Sequence, residues 1–207
     1  MTGFLADYRT SLRPELQTLL GGYRVVDMAR KVVGVGSVGT RAWVVLLAGR
    51  DGSDPLVLQA KEAEASVLEP YAGRSGLEHH GQRVVVGQRS MQAVSDILLG
   101  WVRTPGLDGV TRDFYVRQLW DWKGSLDPAA MVARGLAAYG QACGWTLARA
   151  HARTGDRIAI AAYLGSAPAF DQAMASFAER YAEVTESDHR SLLEAIANGR
   201  VTAISGT

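Results

Sequence analysis

Three glycines and one lysine are the residues of this 207-residue chain whose types and spacing point most directly to chemistry. Gly34, Gly36 and Gly39 follow the G-x-G-x-x-G pattern, Ser37 lies between the second and third of them, and Lys61 closes the next-but-one apolar segment. A glycine loop lets backbone N–H groups approach phosphate oxygens, because no Cβ holds the backbone away. A lysine beside such a loop supplies a cation to the same oxygens. The pattern therefore indicates a site for the phosphates of a nucleotide.

The segments on either side of the loop decide which phosphate-binding fold is indicated. In a dinucleotide-binding unit a helix begins at the third glycine. Here residues 32–33 form an apolar lead-in, and residues 41–47 and 56–61 predict two further strands separated by a polar turn. Strand, glycine loop, strand, turn, strand and lysine is the order that covers ATP in protein-kinase-like folds. The alternative is a plain hairpin turn, with Lys61 a solvated cation at a strand end.

A glutamate that orients Lys61 is the next expectation of a kinase-like fold. The residues after Lys61 are rich in helix formers and predict a helix through Glu69. Glu64 and Glu69 are the candidates to hold the lysine ammonium in place. The alternative for each is a carboxylate on the solvent side of that helix.

The following segments complete the plan of a small lobe. Residues 82–93 predict a helix, and residues 97–102 and 114–119 predict two strands joined as a second hairpin. Five strands, with a helix between the third and the fourth, are therefore expected. The next segment would link two lobes, and there Leu119 and Trp120 are candidates to receive the base of ATP. Ordinary core filling is the alternative for the tryptophan.

Helical patterns precede and follow the predicted sheet. Residues 4–20 have apolar positions at helical spacing that Pro14 interrupts, which predicts one kinked helix or two short ones. From Asp127 onward the chain again reads as helical. The fold class predicted is α+β, with a helical segment at 1–30, a kinase-like small lobe at 31–122 and a helical, partial large lobe at 123–207.

Composition excludes several classes of function. With a net charge of +1, the chain does not have the excess of basic residues that binding to nucleic acid or to an anionic membrane requires. We see no signal segment or membrane span. Cys143 is the single cysteine, so no internal disulfide forms, and we expect a cytoplasmic protein. His79 and His80 lack the i, i+4 spacing of a helical metal pair, and we expect them at the surface.

Several long motifs together resemble one bacterial family, the domain of unknown function 2252. They are the stretches 31–41, 58–63, 87–92, 115–119, 123–125 and 143–153. The resemblance extends over nearly the whole chain. Because that family is grouped with the protein-kinase-like fold and has no firmly assigned substrate, the resemblance implies a fold and a nucleotide site but no particular reaction.

The chain departs from the family in one respect that bears on catalysis. Members are longer, and upstream of the region present here they carry Gly-Asp-x-His-x-x-Asn-Phe-Gly and Asp-Phe-Asp motifs, which resemble the catalytic loop and the metal-binding aspartate of aminoglycoside-type kinases. Neither motif occurs in this sequence. Residues 151–156 have similar letters in a different order, and we expect Asp156 to be a helix-end residue. The resemblance thus implies the C-terminal half of a kinase-like protein.

Three hypotheses follow for the function. In the first, the chain is part of a phosphotransferase, binds ATP, and transfers a phosphoryl group with Mg²⁺ only when a separately encoded N-terminal segment complements it, because transfer depends on positioning and on the metal. In the second, it is a non-catalytic module that binds a nucleotide or a partner. In the third, the chain binds nothing. An exposed apolar surface, and with it self-association or binding of the N-terminal half, is also expected.

Overall fold

The computed structural model describes residues 2–106, 108–119 and 124–203. Within these residues the chain is α+β with five strands, as predicted, and it has seven α-helices. It divides into two compact units, residues 1–155 and 156–207, which are described separately. The predicted division into three segments at 30 and 122 stays a prediction.

The N-terminal apolar pattern forms two helices rather than one kinked helix. These are α1 (Thr2–Thr10) and α2 (Pro14–Leu20). Pro14 begins α2 at a first-turn position, where the missing N–H has no intrahelical partner to lose. The apolar residues at helical spacing, Phe4, Leu5, Tyr8, Leu12, Leu16 and Leu20, are buried.

Five strands form one antiparallel sheet. They are β1 (Arg24–Arg30), β2 (Ala42–Ala48), β3 (Pro55–Ala63), β4 (Gly100–Pro105) and β5 (Thr111–Gln118), in the order β1-β2-β3-β5-β4. β1 has a bulge between Val25 and Asp27. The apolar lead-in at residues 32–33 lies outside the first strand, because β1 ends at Arg30 and Val32 is 94% exposed in the loop that follows.

Along the chain, α3 (Glu69–Ala72) and α4 (His80–Met91) lie between β3 and β4, and α5 (Ala133–Thr154) follows β5. α4 is the predicted helix between the third and fourth strands. The helix expected directly after Lys61 is wrong, since β3 continues through Ala63. Glu62 and Ala63 pair with Phe114 and Asp113 of β5, so strand pairing overrides their helix propensity.

The sheet has two different faces. Alternate residues of β3, including Leu58 and Ala60, join α1 and α2 in a buried core, and we call this side the N-terminal face. Gln59 and Lys61 lie on the other side, the α4 face, where α4 packs against β3, β4 and β5. Val85 of α4 is fully buried there.

Close backbone contacts hold helices to both faces. A Cβ on Gly81 would lie 2.3 Å from the carbonyl oxygen of Phe114, and a Cβ on Gly100 would lie 2.4 Å from Oγ of Ser11. These two glycines therefore allow α4 to approach β5 and α1 to approach β4.

The second unit contains α6 (Arg157–Leu164) and α7 (Ala169–Ala197). Asp156 is at a helix end as expected, because its Oδ1 accepts hydrogen bonds from the N–H groups of Ile158 and Ala159 in the first turn of α6. α7 is one continuous helix. Among the described residues, no helix is long and apolar enough to cross a bilayer.

Candidate functional site

The glycine loop connects β1 to β2 without opening a helix. A single 3-10 turn spans Val35–Ser37, the N–H of Ser37 donates to the carbonyl of Gly34 at 2.9 Å, and the N–H of Thr40 donates to the carbonyl of Ser37 at 3.1 Å. The N–H of Lys31 donates to the carbonyl of Ala42 at 2.9 Å and closes the base of the loop. After Gly39 the chain enters β2, which is the arrangement that excludes a dinucleotide-binding βαβ unit.

The three glycines of the loop differ in what the fold requires of them. Gly39 has φ +87°, a conformation that L residues with a side chain rarely adopt. A Cβ placed on Gly34 or on Gly36 would meet no atom within 4 Å. The backbone conformation therefore explains glycine at position 39, whereas positions 34 and 36 have only open space around them.

Lys61 lies on the strand next to the end of the loop. It pairs across β2 with Ala42, the first residue after the loop segment, and across β5 with Tyr115. Burial and then the positive charge of Arg117 lower the pKa of the Lys61 ammonium. Among the residues that the structure describes, no carboxylate forms an ion pair with Lys61. The ammonium is thus a partly buried cation beside a second cation.

Arg117 is held beside Lys61 by a neutral side chain. Its Nε and Nη2 donate to Oε1 of Gln59 at 3.2 and 3.1 Å. Gln59 is only 3% exposed. Because an amide oxygen orients the guanidinium without cancelling its charge, Arg117 and Lys61 place two positive charges on this part of the α4 face.

The two candidate glutamates are engaged elsewhere. Oε1 of Glu69 accepts a hydrogen bond from the N–H of Ser66 at 3.2 Å, and Oε2 forms an ion pair with Arg74 at 3.5 Å. Glu64 is exposed. The structure brings neither carboxylate into an ion pair with Lys61, so the role predicted for Glu64 and Glu69 in orienting the lysine has no geometric support among the described contacts.

Glu62 is a site residue that the sequence reasoning missed. Its carboxylate accepts hydrogen bonds from the backbone N–H and from Nη1 of Arg41 at 2.9 and 3.1 Å, and it forms an ion pair with Nε of Arg112 at 3.2 Å. Its side chain is 4% exposed. This clasp fixes the end of the glycine loop to β3 and to the β4–β5 hairpin. A longer predicted β3 would have placed Glu62 on the face opposite Lys61.

The same clasp extends to the tip of that hairpin. Nη1 and Nη2 of Arg112 donate to the two carboxylate oxygens of Asp108 at 2.7 and 2.8 Å. Hydrogen bonding by Arg112, and then by the N–H of Val110, holds the pKa of Asp108 well below its ordinary value. Asp108 therefore keeps its charge, and Arg112 is shared between two carboxylates.

The two histidines were expected at the surface, and this was wrong. His79 is the N-cap of α4, where its Nδ1 accepts from the N–H of Gln82 at 3.2 Å, and its side chain is 16% exposed. The N–H of His80 donates to Oδ2 of Asp113 at 2.7 Å. Burial lowers the pKa of His79, although the charge of Asp113 acts in the other direction. No group of three or more metal-binding side chains occurs in the described parts of the chain.

The end of β5 leads into the segment where a base was expected to bind. The N–H of Leu119 donates to the carbonyl of Val57 at 2.9 Å, so strand pairing continues to this residue. Trp120 lies outside the described residues. A cavity of about 460 Å³ adjoins this strand end. Its lining is mostly polar and includes Gln88, Gln92, Ser95, Asp96, Arg117 and Gln118.

Comparisons with known proteins identify the family of this chain. No curated protein and no solved structure matches the chain. One family model, described as an uncharacterized protein conserved in bacteria and as the domain of unknown function 2252, matches residues 1–195. Since the match covers nearly all of the 207 residues, this chain belongs to the DUF2252 family.

Proposed function

We propose that this chain is a protein-kinase-like small lobe with attached helices, and that it binds the phosphates of ATP between the glycine loop and Lys61. The observation that carries the proposal is the cross-strand pairing of Lys61 with Ala42. The loop leads into β2, and Lys61 lies on β3, which is hydrogen-bonded to β2. The lysine is therefore next to the end of the loop.

Charge supports an anionic ligand at this position. Burial, and then repulsion by the charge of Arg117, lowers the pKa of Lys61. An anion that lay between the loop and these cations would relieve the repulsion and raise that pKa. Backbone N–H groups of a glycine loop add donors that a phosphate accepts. The free space around Gly34 and Gly36 is consistent with a ligand that approaches the backbone there.

As its 207 residues stand, the chain binds the nucleotide without transferring the phosphoryl group. Transfer requires a residue that orients the acceptor and ligands that hold Mg²⁺ against the phosphates. The motifs that would supply them are not in this sequence. We therefore expect ATP to bind with the same affinity in the presence and absence of Mg²⁺, and no turnover.

Calorimetric titration with ATP tests the lysine. We expect Lys61→Ala to weaken binding by about tenfold, which corresponds to about 1.4 kcal/mol. Arg50→Ala removes an exposed cation from the β2–β3 turn and is the matched control, with an unchanged Kd. An equal loss of ATP affinity in the two variants would mean that ATP is attracted only nonspecifically by positive charge. Release of phosphate that depends on Lys61 would show that the chain is catalytic by itself.

A second pair of variants tests the loop. Gly36→Ala and Gly52→Ala each add a methyl group where no atom lies within 4 Å, so neither should reduce the melting temperature. We expect Gly36→Ala to weaken ATP binding several-fold, because the methyl group keeps phosphate oxygens from the backbone. Gly52→Ala should have no effect on binding. Identical ATP affinities for the two variants would contradict a phosphate site at the loop.

A second candidate function, binding of a protein partner, is favoured by the exposed apolar residues of α7. Phe170, Met174, Phe177, Tyr181 and Val184 recur at spacings of three and four and are 39–58% exposed. Such a stripe is typical of a helix that packs against another surface. The partner would be an N-terminal half protein that completes a phosphotransferase, or a second copy of the chain. Sedimentation of a monomer that binds no hydrophobic dye would contradict this function.

A further inference from the structure

A larger cavity opens on the N-terminal face of the sheet. Its volume is about 540 Å³, within the range of small-molecule sites. Ala60 of β3 and Trp43 of β2 are cross-strand partners and both line it. Because successive strand residues point to opposite faces, this cavity lies on the other side of the sheet from the neighbouring Lys61. The proposed ATP site does not include it.

The walls of the cavity are largely aromatic and apolar. Phe4 of α1, Trp43 of β2 and Phe114 of β5 contribute rings, and Met28 of β1 contributes a flexible apolar side chain. Phe4 and Phe114 belong to the buried core, whereas Met28 and Trp43 are only partly buried against it. The cavity is therefore an opening at the margin of the core, and an aromatic or alkyl group could occupy it.

Two carboxylates lie among these walls. Asp7 and Asp27 both line the cavity. Oδ2 of Asp7 lies 3.8 Å from where a Cβ on Gly3 would be, and Gly3 is itself a lining residue. Oδ1 of Asp27 accepts a hydrogen bond from the N–H of Met28 at 2.8 Å. In the described parts of the chain, neither carboxylate forms an ion pair.

No cation near the cavity forms an ion pair with either carboxylate among the described residues. Arg112 approaches the lining residue Gly106, but its guanidinium is bound to Asp108 and Glu62. Arg30 lies across from Trp43 in the strand pairing, on the same face of the sheet, and is exposed. The cavity thus combines aromatic rings with two carboxylates that form no ion pair in the described parts of the chain.

We propose that this cavity binds a small organic ammonium ion that carries an aryl or alkyl group. The apolar group would contact Phe4, Trp43 and Phe114, and the ammonium would face Asp7 and Asp27. Aromatic faces attract cations, and desolvation strengthens that attraction. Asp7 and Asp27 are exposed, so they remain hydrated when the cavity is empty. An ammonium ion would contact both the rings and the carboxylates, whereas a neutral apolar ligand would contact only the rings.

Two ligands of the same shape test the charge requirement. The whole chain is titrated with 2-phenylethylamine, which is protonated at pH 7, and with 2-phenylethanol, which is neutral. We expect the amine to bind at least fivefold more tightly than the alcohol, a difference of about 1 kcal/mol. Chemical-shift changes at the indole of Trp43 report the binding. Equal affinities would reduce the cavity to an apolar pocket, and the absence of saturable binding of both ligands would overturn the proposal outright.

Variants locate the site. Asp7→Asn with Asp27→Asn should remove the preference for the amine while keeping the weaker affinity for the alcohol, which also shows that the cavity is intact. Asp51→Asn, in the β2–β3 turn, is the control and should leave the preference unchanged. Lys61→Ala should weaken ATP binding by about tenfold, as proposed above, without affecting the amine, so the two proposals can fail independently. A preference that survives the double variant would contradict the roles of Asp7 and Asp27.

Discussion

The two faces of the sheet use the same strands for different purposes. On the N-terminal face, α1 and α2 cover an apolar core in which Tyr8, Leu20, Leu47 and Leu58 are fully buried. On the α4 face, the same strands carry charged and amide side chains, including Lys61 and Arg117. Lys61 and Glu62 are neighbours in sequence and serve opposite faces.

This difference shows how a small sheet can be stable and still present a polar site. The energy of folding comes mainly from burial of apolar side chains on one face. The other face needs only a well-fitted helix, α4, which covers part of it and leaves Lys61 partly exposed. Breaking the fit of α4 should therefore affect the α4 face most strongly.

The largest effect is expected from Gly81→Ala. The new Cβ would lie 2.3 Å from the backbone oxygen of Phe114, which cannot move without disturbing β5. We expect a loss of about 3 kcal/mol, at the upper end for overpacking. Gly87→Ala in the same helix meets no atom within 4 Å and should stabilise the protein by about 0.5–1 kcal/mol. Urea denaturation measures both, and similar values for the pair would contradict the close approach of α4 to β5.

A smaller effect is expected from Glu62→Gln. The change removes the charge that two guanidinium groups share in a nearly buried position, and we expect a loss of about 2 kcal/mol. Glu15→Gln is the control, because the ion pair of Glu15 with Arg13 is about 60% exposed and should contribute less than about 0.5 kcal/mol. If unfolding in urea is unchanged by Glu62→Gln, the clasp contributes nothing to the fixing of the loop.

The smallest effect, and the one that depends on pH, concerns Asp113. Burial opposes its ionisation, but hydrogen bonds from Arg103 and from the N–H of His80 outweigh it and lower its pKa. A lowered pKa in the folded state means that the stabilisation is present above the unfolded value of about 3.9 and is lost as the pH falls through the folded value. Asp113→Asn should therefore be less stable than the wild type at pH 7, with the gap narrowing by pH 3.

Chemical denaturation at pH 7, 5 and 3 measures that gap. Asp188→Asn on α7 is the control, because Asp188 is exposed and forms no ion pair in the described parts of the chain. A gap for Asp113→Asn that stays constant over this range would mean that the carboxylate is not preferentially ionised in the folded state.

Some elements of the fold were predictable because their residues agree with the pattern that the fold needs. β2 and β3 are apolar runs bounded by turn residues, and α4 has helical spacing. The first strand was not predictable, because Arg24–Arg30 alternates poorly and the bulge after Val25 shifts its register. The end of β3 was also missed, because Glu62 and Ala63 favour a helix locally and become a strand only through pairing with β5.

The site was predictable only where it depends on spacing along the chain. Gly34, Gly36, Gly39 and Lys61 follow a pattern that predicts the strand order, and the pairing of Lys61 with Ala42 at the start of β2 agrees with it. The hydrogen bond between Arg117 and Gln59 joins residues far apart in sequence, and no local signal marks it. The burial of His79 likewise results from the contact of α4 with Asp113, a residue of a later strand.

The order of the strands leaves β1 and β4 at the two borders of the sheet, each with backbone groups that another chain could pair with. β1 carries Arg24, Asp27 and Arg30 and is distorted by its bulge, and β4 ends in Pro105, which has no N–H to donate. Charges, bulges and proline are the means by which natural sheets discourage the addition of foreign strands. The sheet is thereby protected against growing into an aggregate.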